Sequence, residues 1–138
     1  MELGNPGIPH AVIEIPDLEI YPRHKLFSLG RSLRYHPEFP KGANVNFYEI
    51  IGNDLVSECT YERGVEDFTY ACGTGTGSVV TVLTLKGLVS GNDVHVQMKG
   101  GELIIDAEQE NGKIKNLFLT GPTNMVLKGT LTDDSLPF

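Results

Sequence analysis

Thr76-Gly77-Ser78-Val79-Val80-Thr81-Val82-Leu83-Thr84-Leu85-Lys86-Gly87 admits two readings. Its β-branched residues favour a strand. Its ending favours a helix: Lys86 puts a cation near the last turn and Gly87 falls just past it. The run is also apolar all round and follows a Gly/Thr/Ser cluster, as a helix with no solvent face would. The segment is therefore expected to be a buried helix over Thr76–Lys86.

On either side the pattern changes to strands separated by turn dipeptides. Gly52-Asn53 divides Asn46–Ile51 from Leu55–Tyr61, Gly100-Gly101 divides Val94–Lys99 from Glu102–Ala107, and Asn111-Gly112 precedes Ile114–Leu119. Such pairs between β-rich runs predict hairpins. Pro9–Ile15 and Asn124–Leu131 are expected to be further strands. Arg23–Tyr35 spaces Leu26, Leu29 and Leu33 as one helical face. These elements make an α+β fold with a largely antiparallel sheet. The 138 residues suit a single domain, with a frayed tail at Asp133–Phe138.

Composition excludes several functions. A net charge of −7 would repel both nucleic acid and an anionic membrane. No apolar run approaches the roughly 18–20 residues of a membrane span, and Met1-Glu2-Leu3-Gly4 lacks the features of a signal peptide. Cys59 and Cys72 make no disulfide framework, so a reducing, cytoplasmic compartment is expected. His24, His36 and His95 stand on unrelated segments without ligand spacing, which argues against a metal site.

Chemistry concentrates in Ala71-Cys72-Gly73-Thr74-Gly75-Thr76-Gly77-Ser78. Alternate glycines let the backbone approach a ligand closely. A helix beginning near Thr76 would offer free N–H groups to a carboxylate or phosphate, and its field would lower the Cys72 pKa toward the thiolate. Upstream, Glu62 could accept a proton from a thiol and Arg63 could bind a second carboxylate. His10, in Gly7-Ile8-Pro9-His10, offers an imidazole. Structural readings stand beside each of these. Cys72 could be a small buried apolar residue, the glycine run a plain loop, Glu62-Arg63 a solvated strand end and His10 a structural histidine. Cys59, in the middle of Leu55–Tyr61, reads as core.

Taken in order, several segments resemble the C-terminal half of the diaminopimelate epimerase family. They are Gly7-Ile8-Pro9-His10-Ala11-Val12, Phe39-Pro40-Lys41-Gly42-Ala43-Asn44-Val45, Tyr61-Glu62-Arg63-Gly64-Val65, Ala71-Cys72-Gly73-Thr74-Gly75 and Leu119-Thr120-Gly121-Pro122. The resemblance implies one half of a two-domain α+β fold, a sheet wrapped around a central helix, with the active site between the halves. It also implies a two-base reaction with no cofactor, neither pyridoxal phosphate nor metal, in which cysteines on opposite faces invert an amino-acid α-carbon. Cys72 would then be one base. Glu62 would tune Cys72 or shuttle its proton and also border the substrate, and His10 would serve the partner cysteine. Gly73 and Thr74 would hold the reacting carboxylate, while Asn44 and Arg63 would grip the far end of the substrate. The pathway implied is lysine and peptidoglycan precursor synthesis in a bacterium.

The chain departs from the family pattern in three ways. The N-terminal half and its cysteine are absent, which leaves that half as a missing partner. Met1 stands almost directly before the first motif, marking an excised domain or truncated product that is inactive alone. Ile8 replaces an asparagine expected to bind the distal end of the substrate, which Gly4-Asn5-Pro6 recovers only without its histidine. The loop between Glu62 and Cys72 is about one residue longer than the common form and carries bulky Phe68 and Tyr70. Two other functions follow from these departures: a sibling racemase with another amino-acid substrate, or a non-catalytic carboxylate-binding module. An exposed apolar half-cleft would also favour self-association as a homodimer.

Overall fold

The computed structural model describes residues 8–130, so Gly4-Asn5-Pro6, Gly7 and the tail Asp133–Phe138 lie outside the described residues. The strands are β1 (His10–Glu14), β2 (Asn44–Gly52), β3 (Leu55–Glu62), β4 (Asp67–Phe68), β5 (Val94–Met98), β6 (Gly101–Glu110) and β7 (Lys113–Thr120). The helices are α1 (Arg23–Arg34) and α2 (Gly73–Leu85). All the strands join one sheet in the order β1-β2-β3-β5-β6-β7, and β4 pairs with the end of β3. The sheet is mainly antiparallel, but β1–β2 and β3–β5 are parallel. Parallel neighbours need a long crossover. Here α1 makes the first crossover and α2 the second, which is why the two helices interrupt a chain of hairpins.

The hairpins form where the turn dipeptides stand. Asn111 and Gly112 have φ of 51° and 74°, the left-handed pair that a two-residue hairpin turn demands. The strand expected at Asn124–Leu131 is not found over its described residues, 124–130. Residues 121–130 contain no strand, and Met125, Val126 and Leu127 are 89%, 91% and 84% exposed. β-propensity alone cannot make a strand; a ladder needs a neighbour, and β7 is the last strand of this sheet.

The apolar run at Val79–Leu85 is a buried helix, as expected. It begins at Gly73, three residues earlier than predicted. α2 touches β1 and β2 as well as β6 and β7, so the sheet curls around it. Val79, Val80 and Leu83 are fully buried against Val56, Val94, Val96 and Ile105. α1 covers the other face of the sheet, over Val45, Phe47 and Tyr61. Its buried residues are Leu26 and Gly30, with Leu33 partly covered, whereas Leu29 is 36% exposed. The predicted stripe is thus corrected. A Cβ on Gly30 would come within 2.9 Å of Tyr61, so the glycine, not Leu29, lets the helix settle on the strand.

Candidate active site

Cys72 is the residue before the first turn of α2, extended at φ −138° and ψ 99°. Gly73, Thr74 and Gly75 therefore occupy that turn, whose N–H groups have no carbonyl within the helix. An anion beside Cys72 would meet these donors and the positive end of the helix dipole. The earlier helix start brings the first turn of α2 directly against the cysteine.

Cys72 is only 8% exposed. Burial pushes its pKa up, the Thr74 hydroxyl (3.6 Å from Sγ) and the Gly75 N–H pull it down, and Glu62 and Glu58 push it up again. The net direction is upward, which overturns the expected drift toward the thiolate. Within this chain, desolvation and two nearby carboxylates outweigh the two hydrogen bonds.

Under the first turn of α2 lies a floor of buried polar side chains. The β1–β2 register sets His10 opposite Asn44, and the β2–β3 register sets Asn46 opposite Thr60. Alternation along β3 then puts Glu58 on the same face as Thr60. Asn46 Nδ2 lies 3.1 Å from His10 Nδ1 and donates to the Ala11 carbonyl at 3.0 Å. Thr60 Oγ1 donates to Asn46 Oδ1 at 3.0 Å and lies 3.2 Å from Glu58 Oε1. Thr76 Oγ1 is 2.9 Å from Glu58 Oε2 and 3.1 Å from the Cys72 carbonyl oxygen. Burial pushes the Glu58 carboxyl up to about 7 and lowers the His10 imidazole. Because Asn46 presents an N–H to the ring, that contact also favours neutral imidazole.

The remaining expected residues border this floor. Asn44 is buried, and its Oδ1 accepts the Arg63 backbone N–H at 2.8 Å. The Arg63 guanidinium donates to the Lys41 carbonyl at 2.7 Å, which ties the two motifs together. Glu62 ends β3, and its charge acts on both Cys72 and His10. The longer loop is taken up by left-handed turns at Gly64 and Glu66, and Glu66 binds Arg34 at 2.9 Å. Ile8 is 39% exposed just before β1. Cys59 faces the α1 side, where burial pushes its thiol up to about 12, in keeping with a core residue.

Sequence reading missed Asn46, Glu58, Thr60 and Thr76. The available signal was parity: Glu58 and Thr60 fall two and four residues after Val56, on the strand face that turns to the core. A cavity of about 240 Å³ opens beside Cys72 and is lined in part by Glu58, Thr60, Tyr70, Met98 and Lys99.

Comparison with known proteins places this site in a family. Residues 3–126 match the family described as diaminopimelate epimerase. A diaminopimelate epimerase of Aquifex aeolicus is 41% identical over 97% of this chain and 47% of its own length. That of Hydrogenobaculum is 42% identical over 93% of this chain and 45% of its own. The chain thus spans about half the length of the curated relatives it matches. Among solved structures, a probable proline racemase from Agrobacterium radiobacter superposes with a TM-score of 0.57 at 19% identity, over 70% of this chain and 29% of that one. A Bacillus anthracis phenazine biosynthesis protein of the PhzF family gives 0.57 at 18% identity, over 83% and 35%. Those likenesses show the fold. With the sequence match running through Cys72, Glu62 and His10, the chain belongs to the diaminopimelate epimerase family.

Proposed function

We propose that this chain is the C-terminal half of a two-domain, cofactor-independent amino-acid epimerase in which Cys72 is one of two proton-transfer bases. The observation that carries the proposal is the position of Cys72, at the head of a buried helix whose Gly73 and Thr74 N–H groups have no carbonyl within the helix. A substrate carboxylate on the Gly73 and Thr74 N–H groups would set its α-carbon near the sulfur. The same donors would stabilise charge flowing into the carboxylate as the α-proton leaves. Inversion needs a second base on the opposite face, supplied by the missing half. Its upward-shifted pKa suits Cys72 as the thiol that delivers a proton to the carbanion, while the partner cysteine starts as thiolate. Glu62 would receive or return the Cys72 proton, and His10 would serve the partner cysteine. Asn44 and Arg63, already tied together, would receive the distal end of the substrate.

Diaminopimelate is the substrate suggested by the relatives' name, in a cytoplasmic route to lysine and peptidoglycan precursors. Ile8 favours a second reading, a sibling racemase for another amino acid, because an apolar side chain there cannot hold a polar distal group. Leu117 and Leu119 on β7, which reach over Gly77 and Gly73 at the head of α2 and stay 39% and 49% exposed, are the apolar edge on which the other half would dock.

The test is to co-express the chain with the N-terminal half of a relative and follow α-proton exchange in D2O across a panel of amino acids. Exchange on diaminopimelate is expected, with Cys72→Ser losing at least about a thousandfold, the scale of removing a proton-transfer group. Full exchange by the serine variant overturns the role of Cys72. Turnover of another amino acid alone selects the sibling.

A further inference from the structure

The buried floor fixes where its protons sit. The Ala11 carbonyl can only accept, so the Asn46 atom facing it is the amide nitrogen, and Oδ1 must face Thr60. That oxygen can only accept, so it takes the single hydroxyl proton of Thr60. Thr60 then has only lone pairs to offer Glu58, 3.2 Å away, and the proton between them belongs to Glu58. At the other end, the second N–H of Asn46 points to His10 Nδ1, which must accept; a neutral ring then carries its proton on Nε2. With its proton on Oε1, Glu58 can only accept at Oε2, so the Thr76 hydroxyl donates there at 2.9 Å, while the Cys72 carbonyl, 3.1 Å from the same hydroxyl, takes the Thr76 backbone N–H at 2.9 Å.

We propose that Glu58 is a positioning residue acting as a neutral carboxylic acid: relayed through Thr60 and Asn46 it holds His10 in one tautomer, and through Thr76 it braces the turn that carries Cys72. The functional weight of this rests on the epimerase reading above; the proton placement does not. The burial that pushes Glu58 up to about 7 supports the neutral form. The charged and titratable groups around it are His10 across Asn46, Cys72 at the head of α2, Glu62 on the same face of its own strand, and Arg23, Asp67, Tyr70 and Lys99, which share the cavity; Cys59, its chain neighbour, lies on the opposite face of the strand. Ionisation would reverse the Thr60 hydroxyl, release the Asn46 amide and place a negative charge near the sulfur.

The experiment is NMR on this chain labelled with 13C-glutamate and 15N-histidine. At a pH of about 5.5, where an ordinary glutamate is ionised, the Glu58 carboxyl is expected to report the acid, and His10 is expected to show a bare Nδ1 and a protonated Nε2. A carboxylate signal at that pH, or a protonated Nδ1, overturns the proposal without any variant being made. Glu58→Gln can donate to Thr60 and accept from Thr76, so it should keep the tautomer; Glu58→Leu should mix the two tautomers. An unchanged His10 spectrum in the leucine variant also counts against the relay. In the co-expressed enzyme, kcat/KM should fall above neutral pH, and Glu58→Gln should remove that fall. An inactive enzyme with the expected spectra would sink the epimerase reading alone; an active one with the wrong spectra would sink the role of Glu58 alone.

Discussion

A carboxyl group moved from water to the position of Glu58 favours its neutral form, and the direction of the shift sets a pH dependence on stability. Below about 4.5 both folded and unfolded chains hold the proton, and nothing is lost. Between there and about 7 the unfolded chain releases it while the folded chain does not, so stability falls; above about 7 the loss is constant. Converting the rise from 4.5 to about 7 gives at most about 3 kcal/mol. Glu58→Gln should therefore match the parent at a pH of about 4 and exceed it by up to that amount at about 8, as measured by urea unfolding across pH. A gain independent of pH would mean that Glu58 titrates alike in the folded and unfolded chains. None of this was legible along the sequence, where Glu58-Cys59-Thr60 reads as an ordinary strand. Cys72 was legible as a candidate through its glycines, but its surroundings were not: a helix terminus can be inferred from local sequence, whereas desolvation depends on what the rest of the chain lays over the sulfur.

The alternate glycines of α2 have a use that their spacing did not reveal. A Cβ on Gly75 would stand 2.4 Å from Asn46 Oδ1 and 2.9 Å from Thr60 Oγ1, and one on Gly77 would stand 2.6 Å from Leu117. The close approach is to the sheet as much as to any ligand. Gly75→Ala gains up to about 1 kcal/mol of helix propensity but must displace the buried floor, at about 1–3 kcal/mol. The expected result is net destabilisation in urea, with the His10 tautomer disturbed in the same NMR spectrum. A stabilised Gly75→Ala with unchanged His10 signals would mean that the helix does not press on the floor. Leu83, fully buried, should cost about 2–5 kcal/mol when cut to alanine. The buried helix was readable because a segment apolar all round can lie nowhere but inside. Its first turn was not, since Gly73-Thr74-Gly75 has poor helix propensity and becomes helical only where the sheet packs against it.

Joining the chain to its other half should also change its behaviour in solution. Phe118 is 52% exposed on the last strand, and Met125, Val126 and Leu127 are more exposed still. Alone, the chain is expected to self-associate with rising concentration in sedimentation, and co-expression with the N-terminal half should suppress this. A strict monomer at high concentration would show that this surface is not adhesive. What the sequence by itself determined is the set of local elements: hairpins at their turn dipeptides, a buried helix after a glycine run, and the motifs that mark the family. Neighbouring residues suffice for these, because turn conformation, hydrophobic period and helix termination act within a few residues. The tertiary structure alone decided that two of the strand pairings are parallel, that residues 124–130 form no strand, that desolvation raises the Cys72 thiol, and that Glu58 stands under the site. Each depends on groups far apart in the chain, and burial and hydrogen-bond direction exist only once those groups meet.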